Sequence, residues 1–578
     1  MIRPQRNHHR EAIDLGGLWR ISKMDGDWSN GLPAESLPIA VPGSWNEQLA
    51  EAGWMNHVGD AWYETELFVP ADAAGRAVAL QFGSADYEAE VWIDGQPAGR
   101  SGPAMLPFEL DVTELVRPGS SHRLVVRVSN LLPEEGPTQR VTQEDYLREA
   151  RRKDEYLPAV RFDFFPYGGL NRPVHLLLLP RERITDGRVR TVLPGEVTVA
   201  VMAKGGTACR AIVSGHGSCI AAEAGLDGHG RTVLALRVDP CRLWSPADPA
   251  LYDLSVELLD ERGEVRDTVR QRIGIREVRV EGTRLLLNGE PVELRGFGKH
   301  EDSPVHGRGL NLPLLVKDFR LLDWIGANSV RTSHYPYDES FLDLADECGL
   351  LVISEIFSIN LDFRLTGPAT LAAHKAAVEA LISRDGNRPS VIGWSLANEP
   401  GYLGEAEYRE RSGPYWAELF GHARALDPTR PLTHANVQYA GNDDPAFAHS
   451  DIVTVNRYHG WYSEPGQIAR GAARFKEDLD AVAVHGKPVF VAEFGADAVA
   501  GWHSTTDQMW TEEYQADLIA AYWQVIREHP ACIGGHVWNF ADFRTAQHHR
   551  RAVLNHKGVF TRDRQPKRAA WLLRELWR

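Results

Sequence analysis

Two glutamates in the second half of this 578-residue chain stand where an apolar run ends, Glu399 in "VIGWSLANEPG" and Glu493 in "KPVFVAEFGAD". A carboxylate directly after a buried-looking run is at odds with its surroundings unless it has a partner or a task. Taken singly, each is as well explained by a structural ion pair. Taken together, they are the residue types of a glycosidase, in which one carboxyl protonates the departing oxygen and the other attacks the anomeric carbon. That chemistry needs the two groups about 5 to 5.5 Å apart. The glutamates are 94 residues apart in the chain, which does not set that distance.

An architecture that could set it is legible from residue 276 onward, where strands alternate with helices. The strand candidates are "PVELRGF", "NSVRT", "LLVISE", "VIGWSLA", "PLTHAN", "DIVTVN", "PVFVAE" and "CIGGHVW". Eight such strands over about 300 residues predict a (β/α)8 barrel spanning 276–578, with its chemistry at the C-terminal strand ends. Glu399 and Glu493 then end strands four and seven, across the barrel mouth. Between the strands, "LPLLVKDFRLLDWIGAN" reads as a helix with Pro313 near its start, Leu315, Phe319 and Leu322 on one face, and Gly326 as its cap. "YDESFLDLADECG" repeats the device with Phe341, Leu344, Ala345 and Cys348. Residues 1–183 show short alternating strands broken by Gly, Pro and Asp, with "IDGQ" as a tight turn, and predict a β-sandwich. The same pattern over 184–275 suits an immunoglobulin-like sandwich, although no Cys-Trp-Cys signature accompanies it.

Composition narrows the partners. With 79 acidic against 63 basic side chains and a net charge of −16, the chain repels nucleic acid and anionic membrane, and neither is expected to bind. Any anionic substrate must be met by locally placed cations. The five cysteines are odd in number, without Cys-X-X-Cys spacing, and point to a reducing compartment. The opening "MIRPQRNHHREAIDLGG" lacks the apolar run of a signal peptide, so a cytoplasmic protein is expected. There is no His-Glu-X-X-His, the His8-His9 and His548-His549 pairs lack spaced carboxylates, and no glycine loop suits a phosphate. No metal or cofactor is expected.

The segments "WSLANEP", "VAEFGAD", "RGFGKHED", "RTSHYPYDESFLDLADECGLLV", "NRYHGWY" and "VWNFADF" together resemble glycoside hydrolase family two, most closely its β-glucuronidases. The resemblance runs from "DLGGLWRI" and "VPGSWNEQ" near the start to "FTRDRQPK" near the end. It implies an N-terminal jelly-roll sandwich, an immunoglobulin-like sandwich and a catalytic TIM barrel. The implied activity is retaining, exo-acting hydrolysis of small-molecule or oligosaccharide β-D-glucuronides to glucuronic acid and an aglycone, in a homo-oligomer (dimer or tetramer). Carried over by motif, Glu399 is the general acid/base and Glu493 the nucleophile. The chemistry agrees, since the acid must be protonated near neutral pH and the nucleophile ionised. Asn398 would hold the sugar 2-hydroxyl, and Tyr458 would hydrogen-bond the nucleophile, with Tyr462 of the same segment on the substrate. His334 would face the sugar hydroxyls, and Trp538 would lie beneath the pyranose as an aromatic floor.

The two glutamates do not choose the sugar. Within the resemblance, Asn555 and Lys557 of "NHK" match an Asn-X-Lys that binds the C6 carboxylate, Arg551 adds charge there, and Asp163 of "RFDFFPYGG" reaches in from the sandwich to the hydroxyls. Lys557 by itself reads as a loop lysine that supports no core. Three departures stand out. Ser354 replaces an aspartate and implies an altered polar network around Glu355. The stretch 357–370 is short, implying an open aglycone site suited to bulky or oligomeric glucuronides. Pro166 and Gly168 replace the more usual asparagine and alanine. The alternatives are a β-galacturonidase or β-galactosidase of the same family and, from another class, a carbohydrate-binding protein without turnover.

Overall fold

The computed structural model describes residues 2–133, 135–139, 160, 162–401, 405–547 and 550–578, with backbone only at 405–407. The pair His548-His549 lies outside the described residues.

The alternating strands of the N-terminal region form two antiparallel sheets. One has the order Leu37–Val41, Gly17–Ser22, Asp60–Val69, Ser120–Ser129, Glu88–Ile93, Gln96–Arg100; the other runs Glu11–Asp14, Val174–Leu179, Ala77–Phe82, Phe108–Asp111. Their inward residues, among them Trp19, Tyr63, Phe82, Val126 and Leu176, close one apolar core. In the turn of "IDGQ", Asp94 and Gly95 have φ of 49° and 78°. Both central residues in the left-handed region make the two-residue hairpin that the dipeptide predicts.

Seven strands follow in a second sandwich. Arg183–Val192, Glu196–Lys204 and Arg231–Arg237 form one sheet; Ser218–Gly225, Ala208–Gly215, Tyr252–Leu259 and Val265–Ile273 form the other. Val199, Val213, Leu234 and Tyr252 lie between them. A short ribbon, Val278–Glu281, Arg284–Leu287 and Glu290–Pro291, leads into the barrel. Pro291, read from sequence as part of the first barrel strand, belongs to this ribbon, opposite Leu286. A residue without an N–H fits a ribbon edge better than the interior of a closed parallel ladder. Leu285 and Leu287 plug the barrel floor with Trp244, against Leu351, Ile353 and Phe490.

The barrel strands are β1 (Leu294–Gly298), β2 (Ser329–Arg331), β3 (Leu351–Glu355), β4 (Val391–Asn398), β5 (Leu432–Asn436), β6 (Val453–Asn456), β7 (Val489–Phe494) and β8 (Cys532–Val537). All are parallel, and β8 pairs back to β1 to close the ring. Helix α1, Leu312–Ile325, follows its sequence pattern: Asn311 caps it, Gly326 ends it with φ 86°, and Leu315, Phe319 and Leu322 are buried. Helix α2, Glu339–Cys348, is rotated from its expected face. Phe341, Leu342, Ala345 and Asp346 are buried, whereas Leu344 is only partly buried and Cys348 is exposed. The cause is polar: Asp346 accepts from the Ser390 N–H at 3.0 Å and pairs with Arg388 at 3.2 Å beneath the barrel.

The first sandwich is pinned to the barrel mouth by buried charge. Arg308 pairs with Asp86 at 2.7 Å, both almost fully buried, and its guanidinium lies 4.6 Å from the centroid of the Tyr335 ring. Arg562 reaches Glu47 at 2.7 Å and also pairs with Asp302, which accepts from Tyr167 at 2.9 Å. Removing one member of a buried pair strands the other charge, at a cost of about 3–5 kcal/mol. Arg308→Met is therefore expected to lower the thermal midpoint by several degrees, more than Asp86→Asn, which keeps a polar group beside Asn171. An unchanged midpoint in Arg308→Met would show the pin to be dispensable.

Candidate active site

At the mouth, the strand ends deliver the charged groups. Past the end of β4, Glu399 has φ 48°, and its N–H donates to the Ala435 carbonyl of β5 at 2.8 Å. A non-glycine residue in the left-handed region costs energy, and such residues cluster where side-chain aim matters. Asn456, ending β6, donates to Glu399 Oε1 at 2.9 Å and to Asn398 Oδ1 at 3.3 Å. Its Cα partner across the ladder is Glu493 of β7. The residue after Asn456, Arg457, donates its N–H to the Glu493 carbonyl at 2.9 Å.

Arg331, ending β2 and fully buried, bridges the site. Its guanidinium pairs with Glu355 of β3 at 2.7 Å and with Glu493, and donates to Asn398 Oδ1 at 3.4 Å. Tyr458 donates its hydroxyl proton to the other Glu493 oxygen at 2.7 Å.

The two glutamates thus sit in different surroundings. Burial, then the charge of Glu493, pushes the Glu399 carboxyl up to about 7, against the opposing Asn456 hydrogen bond and Arg331. Burial also opposes ionisation of Glu355, but Arg331 and His334 outweigh it and hold that carboxyl below its ordinary range. Burial and the Glu493 charge together raise the Tyr458 phenol, which stays a donor at every working pH.

His334 is anchored through Nδ1, whereas its Nε2 makes no hydrogen bond among the described residues. Its Nδ1 lies 2.8 Å from Glu355, its Nε2 lies 3.7 Å from Glu493, and its ring stacks on Trp538 at 5.0 Å. Trp538 is 4% exposed, and the Arg331 guanidinium carbon lies 5.9 Å from its ring centroid. The Trp538 ring, expected as an open floor, has His334 stacked on it and the Arg331 guanidinium beside it. Ser354 makes no hydrogen bond to Glu355, which is satisfied by Arg331, His334 and the Ser395 hydroxyl at 2.7 Å. Consecutive strand residues face opposite ways, so the altered network expected from position 354 does not arise. The short stretch after Phe357 is sewn to the sandwich: Thr138 donates to the Phe357 carbonyl at 3.0 Å and accepts from the Ile359 N–H at 3.2 Å.

Beside Tyr458 lies a second cluster. Lys557 is 1% exposed, pairs with Asp497 and donates to the Tyr462 hydroxyl at 2.9 Å. The sequence reading of a loop lysine that supports no core is corrected here: its ammonium is the principal counter-charge of a fully buried carboxylate. Burial works against Asp497, yet Lys557 and Arg551 hold its carboxyl below the usual range. Arg551 lies 3.4 Å from Asp497, donates to the Tyr462 hydroxyl at 2.8 Å, and clasps both oxygens of Asp163 at 2.9 and 3.0 Å. Asn555 donates to Asp163 at 2.5 Å. Asp163 does reach the mouth from the sandwich, and its carboxyl is likewise kept low by Arg551 against the effect of burial. The ring centroid of Tyr458 is 5.7 Å from the Lys557 ammonium, so one aromatic ring separates this cluster from Glu493.

All eleven residues singled out from sequence gather at this mouth. Reasoning from sequence passed over Arg331, Asn456 and Asp497. Arg331 carried the same signal as the glutamates, a charge ending an apolar strand, and Asp497 lay inside the quoted "VAEFGAD". Among the described residues no group of three or more His, Cys, Asp or Glu could hold a metal ion.

Comparison with known proteins places this geometry. The family models described as glycosyl hydrolases family 2 match along the chain: sugar binding domain over 14–180, a middle domain over 194–276 and TIM barrel domain over 278–578. A β-glucuronidase of Paenibacillus borealis is 39% identical over all of this chain and 98% of its own length. The Homo sapiens β-glucuronidase is 34% identical over all of this chain and 92% of its own. Among solved structures, the Bifidobacterium dentium β-glucuronidase complexed with coumarin-3-O-glucuronide superposes with a TM-score of 0.93 at 35% identity, covering 100% and 98% of the two chains. The Ruminococcus gnavus enzyme in complex with D-glucuronic acid gives 0.89 at 34%, covering 100% and 99%. With a carboxylate pair at the mouth of a closed barrel and matches along its whole length, the chain belongs to glycosyl hydrolases family 2.

Proposed function

We propose that this protein is a retaining, exo-acting β-glucuronidase. The observation that carries the reading is the Lys557–Arg551–Asn555 cluster one tyrosine ring from Glu493, in a chain whose overall charge repels anions. A C6 carboxylate entering there meets two cations and an amide. Asp163, now held by Arg551 and Asn555, turns to the sugar hydroxyls as the uronate takes its place. The relatives named β-glucuronidase support this reading.

In the proposed double displacement, Glu493 attacks the anomeric carbon while Glu399 gives its proton to the leaving oxygen, then Glu399 takes a proton from the water that releases glucuronic acid. Their surroundings suit these parts. Arg331 and the Tyr458 hydroxyl hold the two oxygens of Glu493, and burial keeps Glu399 protonated near neutrality. Asn398, fixed by Asn456 and Arg331, faces the 2-hydroxyl. A reducing, cytoplasmic setting is consistent with five cysteines that form no disulfide. A homo-oligomer is part of the same proposal, and light scattering on the purified chain decides it.

Three outcomes test the proposal. Proton NMR should show the β-anomer as the first product of an aryl β-glucuronide; the α-anomer would refute double displacement. Glu399 must be protonated to act as acid, so kcat/KM should fall as pH rises through about 7. Glu399→Gln should lose that limb and keep most activity only on substrates with very acidic leaving groups. Because a raised carboxyl pKa costs stability only above its unfolded value, the same variant should also melt higher than the parent at pH 8 and about equally at pH 4. A basic limb that persists in Glu399→Gln would assign it to another group.

The third outcome concerns Lys557. An ammonium near a uronate contributes roughly 3–4 kcal/mol before desolvation, which would be two to three orders of magnitude in rate and falls to about two once desolvation is subtracted. Lys557→Met should lower the ratio of kcat/KM for an aryl β-glucuronide over the matching β-glucoside by roughly a hundredfold. Because it also strands Asp497, it should lower the melting temperature, and Lys557→Met with Asp497→Leu should recover stability without recovering the ratio. Equal loss on both substrates in the stabilised double variant would remove the cluster as carboxylate reader. Assay on an aryl β-galacturonide separates the two uronates.

A further inference from the structure

Opposite the catalytic mouth, where the second sandwich meets the N-terminal face of the barrel, lies an open groove of about 540 Å³. Its floor is the outer surface of the sheet built on Arg183–Val192 and Glu196–Lys204, where Arg190 stands opposite Thr198 and Ala200 opposite Val233. Its far wall comes from the segments entering β4 and β5, with Pro389 and Arg430, and from Ile382 at the end of the helix Pro368–Asp385. Small and apolar residues line much of it, and Val233 is left 62% exposed.

The charge of this groove runs against that of the molecule. Arg188, Arg190, Arg276, Arg279 and Arg430 line it against only Glu277 and Asp427, in a chain of net charge −16. Three of the arginines have carboxylate partners: Asp186 for Arg188 at 3.6 Å, Glu281 for Arg279 at 2.9 Å, and Asp427 for Arg430 at 2.8 Å. Arg190 has no ion pair among the described residues. Arg276 is 5% exposed and, among the described residues, its guanidinium donates to the carbonyls of Pro389 at 3.1 Å and Val391 at 2.8 Å. Burial and the nearby Arg430 press its proton affinity well down. Asp427 and Asp346 offset part of this from a distance, but among the described residues no carboxylate comes within ion-pair reach of Arg276, and a guanidinium does not deprotonate in proteins. The Thr191 hydroxyl donates to the Arg276 carbonyl at 3.1 Å, so the strand that carries Arg190 runs beside the segment that carries Arg276.

We infer that this groove binds an organic anion with an apolar body, its acidic head group held by Arg276 and Arg190 and its body laid against Val233, Val278 and Ile382. A buried, unpaired guanidinium is stabilised by any anion that reaches it, and a planar carboxylate, phosphate or sulfate matches its fork. The apolar walls add affinity for a ligand with a ring or short chain and none for a bare ion. The site shares no residue with the catalytic mouth, so its occupancy is separable from turnover.

Titration calorimetry of the full chain with phenyl phosphate, benzoate, inorganic phosphate and benzyl alcohol tests this. Phenyl phosphate and benzoate are expected to bind at one site, with the tighter of the two naming the head group. Inorganic phosphate and benzyl alcohol should each bind at least tenfold more weakly. Arg190→Glu, at an exposed strand position, should weaken the aromatic anions at least tenfold and leave aryl glycoside kcat/KM within twofold. Arg276→Met should do the same, and Arg190→Glu keeps the test decisive if that buried change unfolds the interface. Unchanged anion binding in Arg190→Glu, equal binding of benzyl alcohol, or no binding by the parent at millimolar concentration would each overturn the inference.

Discussion

The barrel mouth depends on one buried guanidinium. Arg331 ends β2 without exposure and meets Glu355, Glu493 and Asn398 together. A lone carboxylate moved out of water costs several kcal/mol, and two turned into one barrel mouth would repel. Placed between them, the planar fork pairs with both and fixes their directions at once. Everything that follows at the mouth inherits this arrangement: Glu493 is held at one oxygen by Arg331 and at the other by Tyr458. Glu399, on the opposite side and supported mainly by the neutral Asn456, keeps its proton to about pH 7. Charged support for one carboxyl and amide support for the other is the physical difference on which the proposed roles of nucleophile and acid rest.

The first sandwich is not an accessory to this centre. Asp163 comes from it, and so do the hydroxyl of Thr138 and the amide of Gln139 that hold the stretch after Phe357. Buried pairs such as Arg308 with Asp86 keep the two units in register. A mouth assembled from one carboxylate of the sandwich and two of the barrel needs such pins, because a misplacement of 1 Å at a reacting centre costs rate steeply.

The cation cluster shows how a local reading can have the right residue and the wrong environment. Lys557 lies in a stretch with little regular structure, which suggests a solvated charge, yet it is 1% exposed and neutralises Asp497. Its positive charge is fixed in place before any ligand arrives, and Arg551 and Tyr462 complete a preorganised pocket. In the proposed binding mode a uronate exchanges one carboxylate, Asp163, for another, which limits the desolvation cost of entry.

By itself, the sequence determined what local pattern can carry. Period-two strands, a proline-to-glycine helix at Leu312–Ile325, eight apolar strands and glutamates at their ends were all readable, because backbone preference and burial act over a few residues. The motif pair Asn555 and Lys557 was readable because both residues sit within one turn of chain. Only the tertiary structure decided what depends on closure of the ring. It brought Arg331 to Glu493 across 162 residues and Arg551 to Asp163 across 388. It turned α2 so that Asp346 rather than Cys348 is buried, and it set the Arg276 guanidinium against main-chain carbonyls with no direct ion pair among the described residues. Charges find partners in space and not along the chain, so which buried ions are paired, and which still await an anion, is settled only when the strands close.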